Sequence, residues 1–156
     1  MRLTILAVGR QRSGPEAALV ADYLSRAERT GRPMGLAPAR LVEVEPRRAS
    51  GPGPEAQALR RALPEGATLV AMDERGRALS SPALAAHIAQ WRDGGAREVA
   101  FVIGGADGLA PDLRGEAALT LSFGPMVWPH LLARAMLAEQ LYRATAILAG
   151  TPYHRV

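Results

Sequence analysis

Glu98-Val99-Ala100-Phe101-Val102-Ile103-Gly104-Gly105-Ala106-Asp107-Gly108 is a largely apolar run that stops abruptly in glycines. Apolar, β-branched and aromatic residues bounded by glycine read as a buried strand running into a tight loop. Leu119-Thr120-Leu121-Ser122, followed by Phe123-Gly124-Pro125-Met126-Val127-Trp128-Pro129-His130, repeats that arrangement a short way downstream. A glycine-rich loop lets backbone N–H and C=O groups approach a ligand closely. In open α/β sheets, ligands bind in the crevice outside the carboxyl ends of the strands. Two such loops point to a small-molecule pocket. The tail Thr151-Pro152-Tyr153-His154-Arg155-Val156 supplies basic and titratable groups that can meet its ligand.

The rest of the chain fits around this pair of loops. Arg2–Val8, ending at Gly9, reads as a first buried strand, and Ser13-Gly14-Pro15-Glu16 opens a helix to about Arg29. Residues 41–45 alternate as a second strand, Pro46 to Pro54 with Arg47-Arg48 reads as a loop, and a helix follows from Pro54 to about Leu63. Ala67–Met72 is a third strand, Asp73–Arg77 a turn, and Ser81-Pro82 opens a helix closed by Gly94-Gly95. A short helix near 111–117 and a long one from Pro129 complete the pattern. Alternating strands and helices predict an α/β fold: a mostly parallel sheet covered by helices on both faces, in a single domain over residues 1–156.

The last helix carries Leu131, Leu132, Met136, Leu137, Leu141, Ile147 and Leu148 round nearly its whole circumference. Such a helix must be buried on all sides. Its own subunit can cover one face, and a second copy covers the other, which predicts a homodimer with this helix in the interface. The alternative is a central helix wholly buried in a monomer.

Composition removes several classes of chemistry. The 156 residues include no cysteine, which fits a reducing cytoplasm and eliminates thiolate nucleophiles, disulfides and cysteine-held metals. All 19 basic side chains are arginine, so there is no P-loop lysine and no Schiff-base lysine. Three scattered histidines make no metal site, and none is expected. No apolar run is long enough to span a membrane. The net charge of +4 is uneven: residues 1–61 carry 11 Arg against 6 acids, residues 62–156 carry 8 against 9. Arginine forks suit phosphates, so a polyanionic partner is compatible with this chain but not demanded by it.

The ordered set Leu3–Gly9, Met72-Asp73 with Gly76, Ser80-Ser81, Phe101–Gly105 with Gly108-Leu109, Leu121-Ser122-Phe123 with Met126 and Pro129-His130, Glu139–Ala144 and Pro152–Arg155 resembles the RlmH family of ribosomal RNA methyltransferases, within the SPOUT superfamily. The resemblance covers the whole chain and departs from the family mainly at Gly35–Arg40 and Arg48–Pro54. It implies a methyltransferase that uses S-adenosylmethionine on N3 of a pseudouridine in large-subunit ribosomal RNA. It also implies a homodimer and a C-terminal trefoil knot, which pattern reading alone would not suggest because chains rarely thread. Cofactor positions carried over are Met72, Gly104, Phe123, Gly124, Pro125, Met126, Val127 and Trp128. Alternatives are a SPOUT enzyme with another base or ribose as target, and a non-catalytic ribosome-binding factor.

Within that resemblance, His154 is the candidate base for the N3 imide proton, and Arg134 and Arg155, with Arg143, are candidates to grip phosphates or a base carbonyl. His154 could equally be a tail residue on an RNA phosphate. His87 reads as structural, and His130 as shaping the cofactor loop. Glu139 and Arg143, at i and i+4, are explained as well by a helical ion pair as by catalysis. Tyr142 and Tyr153 could stack on a base, or Tyr142 could be core. The modest net charge predicts a shallow salt dependence, compatible with an assembled ribosome rather than naked RNA as substrate.

Overall fold

A computed structural model describes residues 1–11, 13–46 and 51–155. Its elements in chain order are β1 (Arg2–Val8), α1 (Pro15–Gly31), β2 (Ala39–Val44), α2 (Pro52–Ala62), β3 (Thr68–Ala78), α3 (Ser81–Asp93), β4 (Glu98–Ile103), α4 (Pro111–Gly115), β5 (Leu119–Ser122) and α5 (His130–Leu148). Arg47, Arg48 and Val156 lie outside the described residues, so the expected loop from Pro46 to Pro54 is described only at its ends. There α2 starts at Pro52, two residues before its expected start.

All five strands form one parallel sheet in the order β2-β1-β4-β3-β5. β4 is buried along its full length, as its unbroken apolar run requires of a strand covered on both faces. Successive side chains of a strand point to opposite faces. Thus Leu3, Ile5, Ala7, Val99, Phe101 and Ile103 pack beneath α1, α3 and α5. Leu6, Val8, Leu69, Ala71 and Val102 pack beneath α2 and α4. Each large apolar side chain so buried contributes about 1.5–3 kcal/mol. β2 sits at an edge and is only partly covered, which matches the alternation of its sequence.

One element departs from expectation. Residues 73–77 do not end β3; Met72 and Arg77 both stand opposite Leu121 of β5, so the four residues between them loop out and the strand resumes. Apolar content falls away at Asp73, which is why the sequence reads as a turn. Pairing with β5 carries the strand past it. Gly76 is needed there, since a Cβ would stand 2.7 Å from the Thr120 carbonyl.

α5 buries Ala135, Leu137, Ala138, Leu141, Ala144, Thr145 and Ala146, chiefly against α1 and α3. Leu132 at its start stays 37% exposed, beside Leu19 of α1 at 43%. Among the described residues no helix is long and apolar enough to cross a membrane.

Candidate functional site

Three loops meet at the carboxyl ends of β4 and β5 and at the outward excursion within β3. In the first, Gly104–Gly108, the Gly108 N–H donates to the Gly105 carbonyl at 3.1 Å, and Gly108 holds φ +76°. A Cβ on Gly104 would stand 2.7 Å from the carbonyl of Gly108, and one on Gly105 would stand 2.6 Å from the Glu55 carboxylate. Gly104 is therefore required by backbone inside the protein, whereas a side chain at Gly105 would have to displace the Glu55 carboxylate.

The second loop, residues 122–130, is pinned by Ser122. Its hydroxyl accepts the Gly124 N–H at 3.0 Å and stands 3.1 Å from the carbonyl oxygens of Glu74 and Gly124, to one of which it can donate. Beyond that anchor the loop turns outward, with Met126 67% and Val127 83% exposed. The third loop is the 73–76 excursion. Asp73 accepts from Arg114 Nη1 at 2.8 Å and from the Arg75 N–H at 2.9 Å. Burial pushes the Asp73 carboxyl up, but these bonds outweigh it and hold the group below the ordinary carboxylate range.

The loops enclose a cleft of about 440 Å³. Of the eight expected cofactor residues, Met72, Gly104, Phe123, Gly124, Met126, Val127 and Trp128 line it, and Pro125 does not. Ile103 and Leu121 add apolar wall, His130 stands at the rim where α5 begins, and Asp73, Glu74, Arg75 and Arg114 supply charge. Sequence reasoning missed these last four. The signal available was acid and arginine directly after the apolar part of β3, beside the strand ends where the crevice rule puts ligands. Arg114 could not be found, because its approach to Asp73 spans 41 residues.

The side chains expected to act on a substrate are not brought together within one chain. Arg134 is fully buried: its guanidinium donates to the carbonyls of Val8 and Gly9 and pairs with Glu43 at 2.9 Å. It clamps α5 to the ends of β1 and β2, which corrects the expectation that it grips a phosphate. Burial pushes its pKa down while Glu43 pushes it up, and the net shift is downward.

The tail folds onto α5. Tyr153 donates to Glu139 at 2.9 Å and lies under the Arg143 guanidinium, and His154 Nδ1 lies 3.4 Å from Arg143 Nη1. The Glu139–Arg143 pair forms as the helical spacing suggests, with Arg143 Nε donating at 2.9 Å. Tyr142 is packed between Tyr23 and Tyr153, with ring centroids 6.2 and 4.4 Å away. Arg155 is exposed. Arg143 lies thirteen residues along the helix from His130, about 20 Å at 1.5 Å per residue. His154 and Arg155 therefore lie far from the cleft of their own chain. His87 stacks on Trp91 within α3, away from all of this. Among the described residues, no three His, Cys, Asp or Glu side chains stand together as a metal site.

Beside the cleft runs an apolar groove of about 290 Å³ between α1 and α5, lined by Leu19, Tyr23, Phe123, Leu132, Ala135, Met136, Glu139 and Gln140. Phe123 faces both hollows.

A family model described as "Predicted SPOUT methyltransferase" matches residues 1–154. Proteins called ribosomal RNA large subunit methyltransferase H from Ruegeria pomeroyi and Cereibacter sphaeroides are 62% and 63% identical over 156 residues, the full length of both chains. The protein of that name from Paracoccus denitrificans is 63% identical over 155 residues, 99% of each chain. A solved structure, a probable methylase family protein from Haemophilus influenzae Rd KW20, matches with TM-score 0.51 at 13% identity, over 99% of this chain and 70% of that one. That likeness concerns the fold alone.

Proposed function

Because the chain belongs to the SPOUT methyltransferase family, we propose that it methylates N3 of a pseudouridine in large-subunit ribosomal RNA, with S-adenosylmethionine as donor and the assembled ribosome in the cytoplasm as substrate. The knot that goes with the family is part of this reading. The observation that carries it is the cleft where the loops after β4 and β5 converge with the excursion within β3. Its volume of about 440 Å³ lies within the usual range for a small ligand.

The residues present fit the donor. Backbone N–H and C=O groups of the 104–108 and 123–128 loops can read an adenine edge, at about 1 kcal/mol net for each bond. Met72, Met126 and Val127 offer apolar contact to the ring. When bound, the donor supplies a methyl already activated by a sulfonium. The protein must then hold the uracil ring, take its N3 proton and align the reacting atoms, so positioning supplies much of the acceleration. His154 is the candidate to accept that proton, and Arg155 to hold a phosphate or flanking carbonyl.

Arg143, beside which His154 lies, stands about 15 Å along α5 from Ala133 at the edge of the cleft. The reading therefore places the tail residues in the cleft of a second copy. The exposed Leu19 and Leu132 beside the cleft offer that copy an apolar seat.

The test has two parts. Tritium from labelled S-adenosylmethionine should enter ribosomes more readily than protein-free RNA. Nucleoside mass spectrometry of ribosomal RNA from a deletion strain should lack N3-methylpseudouridine. Loss of a different methylated nucleoside from that strain would change the target, and no tritium transfer to either substrate would remove the enzyme reading.

A further inference from the structure

Glu55 is a buried carboxylate that takes no part in the reaction as proposed. It occupies the first turn of α2 and is 8% exposed. A helix N-terminus favours a carboxylate, yet a buried ionisable group still costs more than an apolar one unless it is well bonded. Its partner is the loop itself: Oε2 accepts the Gly105 N–H at 3.1 Å, across 50 residues of sequence. The fit is close on both sides. A Cβ at Gly105 would lie 2.6 and 2.7 Å from the two carboxylate oxygens, so any side chain there would have to displace Glu55 from its bond. Gly105 lines the cleft and Glu55 does not.

We propose that Glu55 is a positioning residue. It locks the Gly105 peptide so that the 104–108 loop presents its backbone groups to the methyl donor in one arrangement. This rests on the reading of the cleft as the donor site. The physical need is plain. Three of the five loop residues are glycine, and glycine loses more backbone freedom on ordering than any other residue. The turn's internal bond from Gly108 to Gly105 joins the loop only to itself. The Glu55 bond ties it to a helix, and bonds to a charged acceptor are stronger than neutral ones. Ordering the loop before the donor arrives lowers the cost of binding.

Three variants of the full-length chain separate the possibilities. Glu55→Ala removes the acceptor, Glu55→Asp keeps the charge but withdraws it from Gly105, and Glu55→Gln keeps a carbonyl acceptor at the same reach. Calorimetric titration with S-adenosylmethionine should show the alanine and aspartate variants binding about tenfold more weakly, with glutamine within about threefold of the unaltered protein. In ribosome methylation assays the donor KM should rise while kcat at saturating donor changes far less. A purely structural role would lower the melting temperature without this split, or without rescue by glutamine. Aspartate keeps the helix-terminal charge, so it reports even if the alanine variant fails to fold. Unchanged donor affinity in the aspartate variant overturns the inference, as does a glutamine variant as weak as aspartate. Absence of binding by the unaltered protein overturns the donor-site reading, and this inference with it.

Discussion

At the scale of single residues, glycines at the cleft earn their places through neighbours in the protein. Gly104 faces the Gly108 carbonyl across the loop, at a distance no Cβ tolerates. Gly104→Ala must push the 105–108 turn outward. The expected outcome is donor affinity reduced at least about tenfold, with a loss of about 1–3 kcal/mol in unfolding free energy from overpacking. Calorimetry beside urea denaturation checks both, and unchanged affinity would remove Gly104 from the site. Arg134 carries a related lesson. From sequence, an arginine in a helix near a phosphate-binding surface is a candidate grip. Its three bonds to the ends of β1 and β2 exist only because α5 folds across them.

Among the elements, the amino-terminal ends of β1, β2 and β4 are joined by a buried carboxylate. Glu98 on β4 accepts from Arg2 at 2.6 Å, Thr4 at 2.6 Å and Arg40 at 3.0 Å, and is 1% exposed. Burial pushes its pKa up, but these three bonds prevail and hold it below the ordinary value. A carboxylate whose folded pKa lies below its unfolded one stabilises fully above the unfolded value, about 4.3 for glutamate, and that stabilisation is lost as pH falls through the folded value. Unfolding free energy should therefore drop steeply on acidification below about pH 4. Glu98→Gln should start lower at pH 7 and lose less over the same interval. Parallel acid limbs in urea titrations of the two proteins would contradict the assignment.

The tail is held to α5 in a different way. Burial first, then the bond to Glu139, raises the Tyr153 phenol above its normal pKa, so the hydroxyl remains a donor at physiological pH. Tyr153→Phe should cost about 1 kcal/mol. It should also speed amide exchange at residues 151–155 without touching β4, and equal protection in both proteins would show the tail is held otherwise.

For the whole molecule, the separation of tail and cleft is the central fact. The proposed dimer would resolve it, with the exposed pair Leu19 and Leu132 as the place where two copies would meet. Leu19→Glu with Leu132→Glu should sediment as a monomer and lose methylation while keeping its fold by circular dichroism. Mixing His154→Ala with Gly104→Ala should restore activity above either alone, because one of the hybrid's sites carries an intact cleft and an intact tail. No gain on mixing would confine each site to one chain.

Legibility follows from the range of the interactions. β4 and β5 run into their loops at the expected residues because an apolar run ended by glycine or serine is a local signal. The loops that line the cleft are legible for the same reason, since each continues directly from its strand, whereas the individual cofactor positions rest on the family resemblance. Asp73 was misread as the end of β3, because pairing of Arg77 with Leu121 brings the strand back after its polar excursion. Glu55 was missed because a carboxylate in a helix's first turn looks like an ordinary response to the helix dipole.

Local chemistry and periodicity thus make legible where β4 and β5 stop, that the sheet is covered on both faces and that glycine-marked loops follow β4 and β5. Tertiary structure decided the partners of the charged groups: Arg134 on the β1 and β2 ends, Arg114 on Asp73, Glu55 on Gly105, and His154 beside Arg143 instead of the cleft. Those pairings join residues up to 126 positions apart. A hydrogen bond is satisfied by whichever partner the folded chain brings within about 3 Å, and no local pattern encodes that choice.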